Sequence, residues 1–157
     1  MHQITMVDCL EMTKMESYNI QGIPADLVLH FWAFAEPYIK RALDHTAGEL
    51  LPSDFRFACM NRNMQLWLVN KDNRVVGAIT TEIVNYPHRR HCRVITLAGS
   101  AFDEWVALAD ETLAKWAIEQ ECDALESYVR KGLVPRLAPH GYKHKHSVLL
   151  KELHHAD

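Results

Sequence analysis

Gly99-Ser100 and Arg130 are residues whose types could hold an anion. A glycine at a strand-to-helix turn lets a ligand approach backbone N–H groups, with the positive end of the helix dipole behind them. The same geometry serves an ordinary turn in which Ser100 caps the helix, and Arg130 can equally cap a neighbouring element. Histidine is abundant, at ten residues, and His140, His144 and His146 lie close together. No cysteine or carboxylate completes a zinc-like spacing with them, so no metal site is expected. Cys59 falls in a helical segment and Cys92 at a strand start, with no paired histidine evident in the spacing, which argues against a thiol nucleophile. His88-Arg89-Arg90-His91 reads as a solvated basic turn, able to meet an acidic partner more strongly as its histidines protonate.

The elements that must position these groups can be read from periodicity. Residues 3–9 read as a strand, and the Met-rich stretch to Gly22 is ambiguous. Pro24 suits a first helical position, with Asp26 in the first turn. Leu27, Val28, Phe31, Trp32, Ala35, Ile39, Ala42 and Leu43 recur at helical spacing, interrupted by Pro37, where a kink or two consecutive helices is expected. Gly48 ends this pattern, and Pro52 opens a short helix to about Asn61. Residues 64–70 and 74–85 are rich in strand formers and flank the polar turn Lys71-Asp72-Asn73, so they read as a hairpin. A third strand follows at 92–98.

The segment 101–121 is the most periodic in the chain. Phe102, Trp105, Val106, Ala109, Leu113, Trp116 and Ala117 form one apolar stripe, which assigns both tryptophans to the core. Ser100 with Asp103 resembles a capping box built with the shorter acid. A strand over DALESYV, a short helix at 131–140 and a last strand at 142–153 complete the order.

A chain of 157 residues, 48% hydrophobic and 24% charged, is expected to be one domain over 1–157 with a real core. The net charge of −3 leaves no basic field, so nucleic acid is not an expected partner. No apolar run is long enough to cross a bilayer and no secretory signal opens the chain, so no membrane partner is expected. The scattered Cys9, Cys59, Cys92 and Cys122 fit a reduced, cytoplasmic setting. The aromatic-rich first helix, with Phe31, Trp32, Phe34 and Tyr38, exceeds what one core needs and leaves a homodimer open.

Gln65-Leu66-Trp67, Val76-Gly77-Ala78, Thr81-Glu82-Ile83 and Tyr86-Pro87 form the first part of an ordered set of motifs. Gly99, Trp105, Trp116-Ala117, Cys122, Arg130-x-Gly132 and Leu137-x-x-x-Gly141-Tyr142 continue it. In this order, over about Ile20 to Leu153, the set resembles the GCN5-related N-acetyltransferase (GNAT) superfamily, and within it small GNAT-like proteins of tailed bacteriophages. The resemblance implies an α+β fold with a mixed, mostly antiparallel central sheet flanked by helices. It also implies an acetyl-CoA-dependent N-acetyltransferase acting on an amine of a host protein or a small molecule, in the host cytoplasm if phage-encoded. A second function consistent with the fold is a non-catalytic phage protein that binds a host protein or virion component.

The resemblance further implies that acetyl-CoA lies where two parallel strands, 92–98 and 124–129, splay apart. Leu97, Gly99, Ser100, Ala101 and Arg130 would then bind the cofactor, and a backbone N–H on strand 92–98 would polarise the thioester carbonyl. Glu82 would be the general base, with Thr81 and Ile83 on the other sheet face; the alternative for Glu82 is a solvated strand residue. Two departures stand out. The loop Leu97-Ala98-Gly99-Ser100-Ala101 has one glycine and no arginine, and Asp103 and Glu104 complement the helix dipole while repelling a pyrophosphate. For that charge, Arg130 or the Arg89-Arg90 pair are the candidate compensators. The position of the family's acidic tyrosine holds Leu137.

Overall fold

The computed structural model describes residues 18–46 and 48–156. The strand expected at 3–9, with Cys9, lies outside them. Among the described residues five strands form one sheet in the order β1 (Tyr18–Ile23), β2 (Gln65–Lys71), β3 (Arg74–Asn85), β4 (Arg90–Gly99) and β5 (Ala124–Ser127). Neighbours are antiparallel except β4 and β5, which are parallel. The expected mostly antiparallel sheet flanked by helices is therefore present. Asp72 and Asn73 close the β2–β3 hairpin with positive φ values of 50° and 65°, the conformation that a two-residue turn demands and that Asp and Asn tolerate.

Helices α1 (Val28–Leu43) and α2 (Pro52–Met60) cover one sheet face, and α3 (Phe102–Glu119) covers the other. The alternation in β2 supplies both cores: Leu66 and Leu68 pack with Trp32, Ile39 and Phe55, while Trp67 and Val69 pack with Trp105 and Leu113. A single α1 runs through Pro37 instead of dividing there. The lost bond would have ended on the carbonyl of Ala33, and both residues are exposed, so solvent takes that place. Trp105 is fully buried and Trp116 stacks edge-on against Trp67 with centroids 5.3 Å apart, as the stripe implied.

Two expectations fail. The capping box does not form: the N-cap of α3 is Ala101, at φ 53°, and makes no side-chain cap, while the Asp103 carboxylate turns to Arg136. The last strand does not form either, because residues 142–156 carry neither helix nor strand. Lys143-His144-Lys145-His146 offers no apolar face to bury, so nothing seats the first half of that segment on the sheet. The expected helix at 131–140 is a chain of short turns around α4 (Val134–Leu137), broken by Pro135 and Pro139 and closed by Gly141 at φ 90°.

Candidate active site

Parallel pairing of β4 with β5 covers only His91–Val94 against Ala124–Ser127. One further bond runs from the Tyr128 N–H to the Val94 carbonyl, 3.2 Å long, and then the strands part. The cause lies in β4. Thr80 pairs with Thr96 but Thr81 with Val94, so Ile95 is an extra residue, a bulge that bends β4. Beyond it, Leu97, Ala98 and Gly99 form the floor of an open cleft of about 280 Å³. Arg41 and Ala42 at the end of α1, His45 just after it, Phe102 from α3, and Arg130, Leu133 and Arg136 from the segment after β5 complete the lining.

Among the described residues the lining holds three arginines and no carboxylate. Arg130 approaches His45 at 3.5 Å. Arg136 lies over the Phe102 ring and holds Asp103 at 2.8 Å. Glu104, the other acid in that helical turn, is bonded by the Tyr18 hydroxyl and sits 3.9 Å from Lys71. Both carboxylates that threatened to repel an anion therefore have basic neighbours. The first N–H groups of α3 have no intrahelical acceptor, as at any helix start.

Of the expected cofactor residues, Leu97, Gly99 and Arg130 meet in this cleft, whereas Ser100 and Ala101 are not among its lining. The Ser100 N–H donates to the Val76 carbonyl at 2.8 Å, so it is committed to the sheet. Gly99 has a packing reason to be glycine: a Cβ there would lie 2.7 Å from the Val76 carbonyl oxygen and 2.8 Å from Trp105. Arg90 does not serve the cleft. It lies at the opposite end of β4, bonded to the Gln120 carbonyl and the Asn85 side chain. Leu137, where the family's acidic tyrosine would stand, is buried in the α3-side core.

Glu82 sits apart from the cleft lining, on the α1 side of the sheet near the root of the splay. Glu82, Arg93 and Glu126 form one cross-strand row on β3, β4 and β5. Arg93 donates to both acids, at 3.1 Å each, and its guanidinium lies 4.4 Å from the centre of the Tyr128 ring. Glu126 also accepts from His91 Nδ1 at 2.9 Å and from the Tyr86 hydroxyl at 2.8 Å. Burial alone would raise the Glu126 carboxyl, but the bonds from His91 and Tyr86 and the Arg93 charge outweigh it and hold it below its ordinary value. As expected, Thr81 faces the other way, accepting from Trp67 Nε1 at 3.0 Å and donating to Gln65.

Sequence reading missed Arg41, His45 and Arg136 in the cleft and the whole Arg93–Glu126 group. The available signal for the latter was the alternation of His91 and Arg93 with Cys92 and Val94. On a strand of that pattern the two basic side chains share one face. His91 and Arg90 belong to β4 and not to the solvated turn expected at 88–91.

No family model matches the chain, and no curated protein matches it. Solved structures do. An aminoglycoside acetyltransferase from an uncultured soil metagenomic sample superposes with a TM-score of 0.63 at 10% identity, covering 87% of this chain and 97% of that one. A predicted acetyltransferase from Clostridium acetobutylicum, solved with acetyl-CoA, gives 0.62 at 12% identity over 88% and 99% of the two chains. A ribosomal-protein-alanine N-acetyltransferase from Brucella melitensis gives 0.61 at 14% identity, over 88% and 100%. This chain has the acetyltransferase fold.

Proposed function

We propose that the chain is an acetyl-CoA-dependent N-acetyltransferase. The observation that carries this reading is the cleft: β4 and β5 part after Val94, and three arginines, one near the end of α1 and two from the segment after β5, converge beside the start of α3. The donor set fits the cofactor. Arg41, Arg130 and Arg136 suit its phosphates, and the unpaired edge of Ile95–Gly99 suits an extended amide-bearing arm. Acetyl-CoA, when bound, supplies an activated thioester. A β4 backbone N–H on the open edge would polarise that carbonyl. Glu82 binds Arg93 through Oε1, which leaves Oε2 to take the proton from the attacking amine directly or through one water. With Leu137 at the tyrosine position, the proton for the leaving thiolate would have to come from solvent.

The acceptor in this reading is an amine of a protein or a small molecule. The ordered motifs that resemble phage GNAT-like proteins extend it to a phage-encoded enzyme acting on a host target. Titration calorimetry with acetyl-CoA tests the core of the proposal. Saturable heat is expected, with thermal stabilisation that follows ligand concentration. No binding at millimolar acetyl-CoA sinks it. With binding in hand, Glu82→Gln should lower turnover about 100-fold while leaving acetyl-CoA affinity nearly unchanged.

A second reading is a non-catalytic protein that reuses the fold to bind a host protein or virion component. What favours it is the commitment of the Ser100 N–H to Val76 and the burial of Leu137. Recovery of one specific partner from host lysate without acetyl-CoA, together with a failed titration, would support that reading instead.

A further inference from the structure

The cleft draws its basic side chains from both faces of the sheet. Phe102 and Leu133 in the lining belong to the α3-side core, whereas Arg41 and His45 come from α1 and the turn after it, on the other face. Both walls are anchored. Ala35 and Ile39 are fully buried and seat α1, and the Arg41 guanidinium lies 5.3 Å from the centre of the Tyr38 ring. On the far wall the buried Leu133 donates its N–H to the Arg130 carbonyl at 2.9 Å. Arg41, His45 and Arg130 are themselves exposed, and among the described residues no carboxylate pairs with either arginine. Arg130 comes within 3.5 Å of His45 Nε2. An unprotonated Nε2 accepts a long bond there, while a protonated one would face a like charge. A phosphate oxygen between the two turns both into donors.

We propose that Arg41, His45 and Arg130 form a phosphate clamp built from side chains alone, in place of a backbone cradle at the Gly99-Ser100 turn. That turn offers little to an anion. The Ser100 N–H is committed to the Val76 carbonyl, and Arg136 beside the start of α3 already holds Asp103. The end of α1 does not repel an anion as an open helix terminus would. Its Lys40 carbonyl accepts from the Asp44 N–H at 3.1 Å, and its Leu43 carbonyl accepts from the N–H and hydroxyl of Thr46 at 3.0 and 2.7 Å. Two guanidinium forks and an imidazole from opposite walls suit a phosphate group, which offers oxygens in several directions. In acetyl-CoA that group is either the 3′-phosphate or the 5′-diphosphate. By bridging Arg41 and Arg130, the ligand would tie α1 to the segment after β5. The clamp rests on the acetyl-CoA reading for the identity of its ligand, and on the cleft alone for its preference for phosphate.

Calorimetric titrations of the full chain with acetyl-CoA, acetyl-dephospho-CoA and adenosine 3′,5′-bisphosphate test the clamp. Arg41→Met and Arg130→Met should each weaken acetyl-CoA about tenfold, the loss of one charge-assisted bond, and should flatten the dependence of binding on ionic strength. Both side chains are exposed, so the thermal transition of the unliganded variants should match that of the parent. Arg130→Lys keeps the charge without the fork and should recover only part of the loss. Losses seen with acetyl-CoA but absent with its dephospho form assign the clamp to the 3′-phosphate, and equal losses with both assign it to the 5′-diphosphate. Parent-like affinity for acetyl-CoA in both methionine variants overturns the clamp and leaves the acetyltransferase reading standing. Binding of the bisphosphate but not of acetyl-CoA, weakened in both variants, strikes that reading and keeps the clamp. Binding of none of the three ligands overturns both.

Discussion

Gly99 is the residue at which a binding explanation and a packing explanation compete. As a lone glycine before a helix it reads as a phosphate cradle. In the fold its Cα faces Gly77 across the β3–β4 ladder, and the Trp105 ring lies over the pair. The atoms a Cβ would strike are the Val76 carbonyl oxygen and the Gly77 Cα, at 2.7 and 2.8 Å, and backbone cannot swing aside as a flexible side chain can. Gly99→Ala should therefore destabilise the fold by about 1–3 kcal/mol, the ordinary cost of overpacking. Urea unfolding of the free protein measures this. A glycine kept only for a ligand would leave the midpoint unchanged and weaken binding alone.

At the scale of elements, the row Glu82–Arg93–Glu126 ties β3, β4 and β5 together where β5 has only four residues to offer. Glu126 takes bonds from three side chains and is held below its ordinary carboxyl range. A depressed carboxyl stabilises the fold above its unfolded pKa, near 4.3, and that contribution is lost as pH falls through the lower folded value. Stability should thus decline below about pH 4. Glu126→Gln should cost about 1–3 kcal/mol at pH 7 and progressively less as pH falls through the lower folded value, where the native carboxylate is itself protonated. Denaturant midpoints across pH 3–7 check both limbs, and equal losses at every pH would refute the assignment. The strands themselves were legible in sequence, since β3 alternates and is rich in Val, Ile and Thr, and α3 carries a clean apolar stripe. The row was not legible, because it depends on a parallel register that brings Arg93 beside Glu126, 33 positions away. The unformed strand at 142–153 shows the complementary limit: strand composition is a local property, whereas an edge to pair with is not.

For the whole molecule, the net charge of −3 conceals a local reversal. Arg41 is far along the chain from Arg130 and Arg136, and only the fold gathers all three at one cleft, where sequence reading found Arg130 alone. Low-dielectric walls concentrate such a field. Asp103 opposes it, bound to Arg136 at 2.8 Å and itself mostly exposed. It favours α3 through the helix dipole and weakens the cleft for anions, so helix stability and ligand affinity oppose each other at this one side chain. Asp103→Asn should therefore lower the stability of the free protein by about 0.5 kcal/mol. It should also tighten acetyl-CoA about fivefold at low salt, the equivalent of roughly 1 kcal/mol of screened attraction. Because the effect is electrostatic across solvent-exposed groups, the gain should shrink as ionic strength rises from about 0.05 to 0.5 M. Calorimetric titrations of the two proteins at both salt concentrations test this. Unchanged affinity at low salt would mean that the anionic part of the ligand lies outside the reach of Arg136.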